Sequence, residues 1–354
     1  MNGISRRRLL TLAGSAGFVA AVAPGTAMGR STAMIRATGA HPANITNYVP
    51  QLVAISQGFV EDEGLDFQLI VSGGGSKLRA IVAAGEADFG LGDISHSLQM
   101  TTRGRPAKIL MAIDQRAVIS NIVVRRDLYD AGIDSVAKFV AWKRSDGGKP
   151  VLAVSTLGGG QHVYASYILS RLGAAGDVTW LAGGVTQTML GGLMTGKFDA
   201  IVAPPSWQFE AEDRGWGKTV LDLRDEKSAV EIFGANVPAT VFYALDETIA
   251  DEPGKVQAYV NAMYRAMQWI KDGSAEEIYA SVGEKYLNAL PADMVKREIA
   301  YYKDIFSYDG RISAEVYGKG GNVWFGGMTG IAEIPFADAV DNRFVEAAQK
   351  KYGA

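Results

Sequence analysis

The chain has 354 residues, 48% of them hydrophobic and 21% charged, with a formal net charge of −3. That balance belongs to a folded globular protein and excludes general disorder, and nothing in it is basic enough to suggest nucleic acid. The absence of cysteine excludes a disulfide framework, zinc–thiolate and iron–sulfur sites, a cysteine nucleophile and lipid attachment through a thiol.

In chain order, the first feature is "SRRRLLTLAGSAGFVAAVAPGTAMG". Arginines at 6–8 precede an apolar run from Leu9 to Ala23, and small residues follow around Ala27 and Gly29. Charged, apolar and cleavage regions in that order are the layout of an export signal. Its arginine pair resembles the twin-arginine kind. The run is shorter than the ~20 apolar residues that a membrane span needs. Residues 1–29 are therefore expected to be a cleaved signal. Their loss removes three arginines and no acid, which takes the net charge from −3 to −6. The expected location is the periplasm, with no lipid anchor.

From Ile35 the pattern alternates. "MIRATGA" reads as a strand, Tyr48 to Glu63 as a helix, "DFQLIVSGG" as a strand and Ser76 to Ala84 as a helix. "ADFGLG" is a strand, Ile94 to Arg103 a helix and "AKILMAI" a strand. A second block repeats the plan. It runs from the strand "KPVLAVST" through a Gly-rich turn and helix to "DVTWLAGG", a helix over Thr186 to Thr195, and "KFDAIVAPP". Alternation with short connections argues for an α/β layer fold with a mainly parallel sheet. The two blocks echo each other. Gly73, Leu78, Gly85 and Asp88 lie 111 positions before Gly184, Met189, Gly196 and Asp199.

The echo suggests two lobes of similar build. The first spans 30–118, the second 119–236, and the chain returns to the first over 237–354. After a further strand, Val256, Tyr259, Val260, Met263, Tyr264, Met267 and Ile270 recur at helical spacing. That helix is expected to pack back on the first lobe. The tail is helical in pattern, with a Gly-rich interruption at "GKGGNVWFGG". Two lobes crossed by two strands make a hinge with a cleft between them.

In open α/β sheets, ligands sit beyond the carboxyl ends of the strands. That rule selects loops 39–48, 72–76, 92–97 and 114–120, and in the second lobe 155–162, 182–186 and 203–208. Several are glycine-rich turns at helix starts, where free N–H groups and the helix dipole point outward. The three histidines of the chain, His41, His96 and His162, all fall in these loops. They lack a metal-ligand spacing, and no nucleophile or paired carboxylate stands beside them, so neither metal nor cofactor is expected. Tyr48, Tyr164 and Trp207 are aromatic candidates to cover an organic ligand, Tyr164 reading rather as core. Arg116, in the first crossing, could face an anion. The near phosphate loop Gly191-x-x-x-x-Gly196-Lys197 continues with Phe198 instead of Ser or Thr and sits at a helix end. The near dinucleotide fingerprint at Gly90-x-Gly92 lacks its third glycine.

Four stretches resemble one family: "YVPQLVAISQGFVEDEGLDF", "SGGGSKLRAIVAAGEADFGLGDIS", "VSTLGGGQHVYASYILSRLG" and "MLGGLMTGKFDAIVAPPS". Together they are similar, in this order, to the extracytoplasmic binding proteins of nitrate, sulfonate, taurine and thiamine-pyrimidine ABC importers. The resemblance implies a two-lobed periplasmic-binding-protein fold, each lobe a mixed sheet flanked by helices. It implies contact with the ligand from the loop Gly92 to Ser97 and from the helix start Gly158 to His162, with Pro204 to Trp207 and the first loop near Tyr48 completing the pocket. The expected binding set is His41, Tyr48, Asp93, Ile94, Ser95, His96, Arg116, Gly159, Gly160, Gln161, His162 and Trp207. Sulfonate binders carry hydroxyl residues where this chain has three glycines, a glutamine and a histidine, which counts against a simple sulfonate. The tail "IPFADAVDNRFVEAAQKK" looks more like the pyrimidine-precursor and aromatic-acid branches. The expected partners are such a small ligand (pyrimidine precursor, aromatic or other organic acid, or sulfonate) and an ABC permease, with the protein a monomer. The alternative is an exported enzyme on the same fold, using His96 or His162 as acid–base.

Overall fold

The computed structural model describes residues 34–326 and 330–353; the expected signal at 1–29 lies outside them. Among the described residues, ten strands form two five-stranded mixed sheets. In the first sheet are β1 (Ile35–His41), β2 (Leu65–Val71), β3 (Phe89–Asp93) and β4 (Ala107–Ala112). In the second are β5 (Asn121–Arg125), β6 (Val151–Val154), β7 (Thr179–Ala182), β8 (Ala200–Ala203) and β9 (Gly217–Leu221). The chain then returns to the first sheet with β10 (Thr240–Leu245).

The strand orders are β2-β1-β3-β10-β4 and β7-β6-β8-β5-β9. Each sheet is a parallel triplet followed by one antiparallel strand that has just crossed from the other lobe. Every residue of β3, β8 and β10 is buried, because these strands lie inside their sheets and are mostly apolar, polar Asp93 and Thr240 standing only at the ends. Edge strands β2 and β7 are partly exposed.

The 111-residue echo reaches the hydrogen bonds. Asp88 Oδ2 accepts the Thr38 N–H at 2.7 Å, just before β1 meets β3. Asp199 Oδ2 accepts the Val151 N–H at 2.8 Å, just before β6 meets β8. Gly73 and Gly184, at φ 79° and 80°, close equivalent turns. Their N–H groups donate to Pro42 and Ser155 carbonyls at 2.9 and 3.0 Å.

The helix Pro253–Asp272 buries all seven residues of its apolar stripe and packs on the first lobe, as expected. Its Tyr259 ring stacks on Phe89 and Phe67 at 4.6 and 4.8 Å. Three readings are corrected. The expected helix Tyr48 to Glu63 is broken into Val49–Ser56 and Phe59–Asp62, because Gly58 takes φ 72°. Strands β5 and β9 had no sequence counterpart in the expected alternation. The Gly-rich interruption in the tail is instead part of a helix, Ala314–Gly326. There the Trp324 ring folds back over Gly320, where a β-carbon would overlap it.

Residues 113–120 make the first crossing, with a 3₁₀ turn at Val118–Ser120. The return crossing runs into β10. The two lie side by side, with the Ile113 N–H donating to Thr240 O at 2.9 Å. Asp114 clasps them, accepting the Ala239 N–H at 2.7 Å and the Thr240 N–H at 3.0 Å. No helix among the described residues is long and apolar enough to cross a membrane.

Candidate ligand-binding site

Strand C-termini of both sheets face one cavity. From the first lobe it is lined by Pro42, Ala43, Ile45, Asn47 and Tyr48 after β1, Gly73 to Gly75 after β2, and Asp93 and His96 at the end of β3. From the second it is lined by Ser155, Thr156 and Gly159 to Gln161 after β6, Gly184 and Val185 after β7, and Pro204 and Trp207 after β8. Ile119 of the first crossing completes the wall. The two walls are close: a β-carbon at Gly75 would lie 3.5 Å from Gly159 Cα across the cleft.

Hydrogen bonds between the lobes hold them so. Ser76 Oγ donates to Leu157 O at 2.7 Å, Arg79 Nη1 to Gly158 O at 3.2 Å, and Gln99 Nε2 to the same carbonyl at 3.3 Å. Glycines permit the approach. A β-carbon at Gly74 would overlap the Thr156 methyl across the cleft, and one at Gly160 would overlap the Asp93 carboxylate.

Asp93 is the acid of this wall. Its Oδ1 accepts the Ser95 N–H at 2.9 Å and the Ser95 hydroxyl, while Oδ2 is buried without a partner. Burial pushes the carboxyl up to about 6, and the Ser95 hydrogen bonds oppose that rise. His96 is 1% exposed. Its Nδ1 meets the Tyr243 hydroxyl at 3.4 Å and its Nε2 has no partner. Burial lowers its pKa to about 3, so the ring is neutral at any physiological pH. Asn47 Oδ1 and Thr156 Oγ1 are also buried and unpartnered. Among the described residues, no lysine or arginine lines the cavity.

Of the twelve residues expected to bind, Tyr48, Asp93, His96, Gly159, Gly160, Gln161 and Trp207 line this cavity. The other five lie elsewhere, each for a visible reason. His41 is buried behind Tyr48, its ring 5.3 Å away, with Nε2 against Asn44 Oδ1 at 2.9 Å; burial lowers its pKa to about 4. Ile94 is core, its N–H donating to Ala239 O. Ser95 spends its hydroxyl on Asp93. Arg116 turns toward Glu226, 3.9 Å away. His162 Nδ1 accepts the Gly158 N–H at 3.0 Å and its ring sits edge-on to Trp180.

Gln161 lines the cavity but serves the backbone. Its Oε1 accepts the Ser155 N–H and its Nε2 donates to Ile119 O. Trp207 Nε1 donates to Thr186 Oγ1 at 3.0 Å, which fixes the indole as a wall. Tyr164 is core, as its sequence reading favoured. Asn47 and Thr156 were missed as individuals. They sit inside loops that the strand-end rule selects, but Asn and Thr there are indistinguishable from turn and cap residues. The Gly90 near-fingerprint holds no phosphate, because the Tyr243 ring occupies the space beside it. No cluster of His, Asp or Glu suited to a metal occurs among the described residues.

Comparison with known proteins adds the family. The model of the NMT1-like family matches residues 43–282. YtlA of Bacillus subtilis (strain 168), a binding protein by its name, is 23% identical over 266 residues, 74% of this chain and 73% of that one. A solved protein of Bordetella bronchiseptica RB50 is 26% identical with a TM-score of 0.77, over 90% of this chain and 98% of the other. The periplasmic nitrate-binding protein NrtA of Synechocystis PCC 6803 shares the fold at 14% identity and a TM-score of 0.69, over 90% and 89% of the two chains. The chain belongs to the NMT1-like family and has the two-lobed fold of periplasmic binding proteins.

Proposed function

We propose that this protein is an extracytoplasmic solute-binding protein. It closes its lobes on a small polar organic molecule and presents it to an ABC importer permease. The observation that carries this reading is the two-sided wall. Loops after three strands of each sheet converge on one cavity, and Asn47 Oδ1, Asp93 Oδ2, His96 Nε2 and Thr156 Oγ1 in its wall stay unpaired although the lobes have met. Closure expels water and makes the second lobe's contacts at the same time. The signal-like N-terminus and the resemblance to importer components support the periplasm as its place of work, a monomer as its state, and Asp93, His96, Tyr48, Gly160 and Trp207 as its contacts.

Acid–base catalysis fits less well. Burial lowers the His96 pKa to about 3, which leaves it a weak base with no acidic proton to give near neutral pH, and His162 is spent on its own loop. The test is to purify the exported chain from its own host, denature it and identify what it releases by mass spectrometry. One unaltered small molecule per chain is expected, together with expansion of the stripped, refolded protein in small-angle scattering. No released molecule and an unchanged radius of gyration would end this reading. Turnover of the released compound by the refolded chain would favour the enzyme.

A further inference from the structure

The charge pattern of the cleft points to the chemistry of its ligand. Asp93 Oδ2 and Asn47 Oδ1 are acceptors, both buried and both without a donor. A carboxylate oxygen left so costs more than a neutral one, since the charge loses its hydration without a replacement. Among the described residues no lysine or arginine donates to Asp93 Oδ2: Arg79 acts on Asp93 through its charge alone and donates to Gly158 O.

The opposite wall carries the second observation. Gly160 opens the helix Gly160–Arg171, and no side chain caps that end. Its free N–H groups and positive dipole end would ordinarily draw an anion. Here the Asp93 carboxylate already stands against Gly160. An incoming oxyanion would face that carboxylate at short range in a buried site, where like charges repel strongly. An N–H donor would instead fill the open valence of Oδ2. His96 Nε2, unpartnered like Thr156 Oγ1, donates or accepts according to the tautomer that its Tyr243 contact selects.

We propose that the cleft takes a small ligand bearing an amidine-, guanidine- or amino-imine-type N–H group, with Asp93 as its counter-ion and Asn47 as a second acceptor, and that it rejects oxyanions. The inference rests on the solute-binding reading above and narrows it. It sets this cleft apart from that of a nitrate binder.

The experiment is isothermal titration of the chain from residue 30 onward with two isosteric pairs, acetamidinium against acetate and guanidinium against nitrate. It is run at pH 8, above the carboxyl's value of about 6. Each cation should bind at least about tenfold tighter than its isosteric anion, and Asp93→Asn should cost about tenfold or more of cation affinity. Circular dichroism checks the variant's fold. If Asp93→Asn does not fold, the wild-type preference decides alone. Tighter binding of acetate or nitrate overturns the inference while leaving solute binding intact. Binding of neither cation also overturns it. The solute-binding reading then stands or falls separately, by the molecule released on denaturation.

Discussion

The Asp93 carboxylate and the Gly160 backbone meet across the cleft so closely that a β-carbon on Gly160 would overlap the carboxylate. Asp93 ends a strand of the first sheet and Gly160 starts a helix on the second. The pair therefore measures whether the lobes can shut. Gly160→Ala should leave each lobe folded, since its φ lies outside the region reserved for glycine, but hold the lobes apart. Scattering should show a larger radius of gyration than wild type, and ligand affinity should fall by about tenfold or more, because closure supplies the second lobe's contacts. A variant as compact as wild type with unchanged affinity would mean that the contact plays no part in closure.

The paired aspartates give a second prediction. Asp199 is 1% exposed and holds the Val151 N–H together with Arg125 and Arg144. Its counterpart Asp88 is 24% exposed and holds the Thr38 N–H and Lys255. Removing a buried acceptor strands both its donor and its cations, whereas a solvated pair loses little. Asp199→Ala should cost about 3 kcal/mol and Asp88→Ala about 1 kcal/mol. Urea melts of the two variants test the order, and equal losses would contradict it.

Tyr164 ties three segments together. Its hydroxyl donates to Pro238 O at 3.0 Å, in the return crossing, and accepts Trp324 Nε1 at 3.1 Å from the tail. Tyr164→Phe keeps the ring but leaves a buried carbonyl and a buried indole N–H unpaired. The expected loss is about 1–2 kcal/mol, with ligand affinity little changed because Tyr164 does not line the cavity. Thermal melts with and without ligand distinguish this from a binding role.

Much of this site was legible because backbone topology places it. Strand ends and Gly-rich helix starts can be read from a 111-residue echo without knowing any contact, and Gly73 with Gly184, or Asp88 with Asp199, kept their roles down to the hydrogen bond. What a side chain does inside such a loop is not legible. His162 and His96 occupy similar places in the pattern. One folds back onto Gly158 while the other keeps a free nitrogen in the cavity, and only the packing of Trp180 and Tyr243 beside them separates the two. Strands β5 and β9 escaped notice for another reason. Each is five residues long, and both belong to an antiparallel arrangement that a βαβ template does not anticipate.

The hinge carries a pH dependence whose sign can be worked out. Asp114 is buried between the crossings, and burial pushes its carboxyl up to about 7 from an ordinary 3.8, against the hydrogen bonds it accepts from the 239–240 backbone. A raised carboxyl holds its proton in the folded state where the unfolded chain has lost it. The stability it contributes is fully present below pH 3.8 and is lost as pH rises through about 7. Asp114→Asn keeps one oxygen able to accept both the Ala239 and the Thr240 N–H, since Oδ1 already reaches both, and it cannot titrate. The variant should therefore be less stable than wild type at pH 5 and recover relative to it by pH 8. The relative shift is about 3 kcal/mol, at roughly 1.4 kcal/mol per pH unit over the two units from pH 5 to about 7. Denaturant melts of both proteins at pH 5, 6, 7 and 8 give the difference directly and cancel the opposing titration of His41 and His96, which both share. A difference that does not change with pH would mean that Asp114 stays ionised in the hinge throughout.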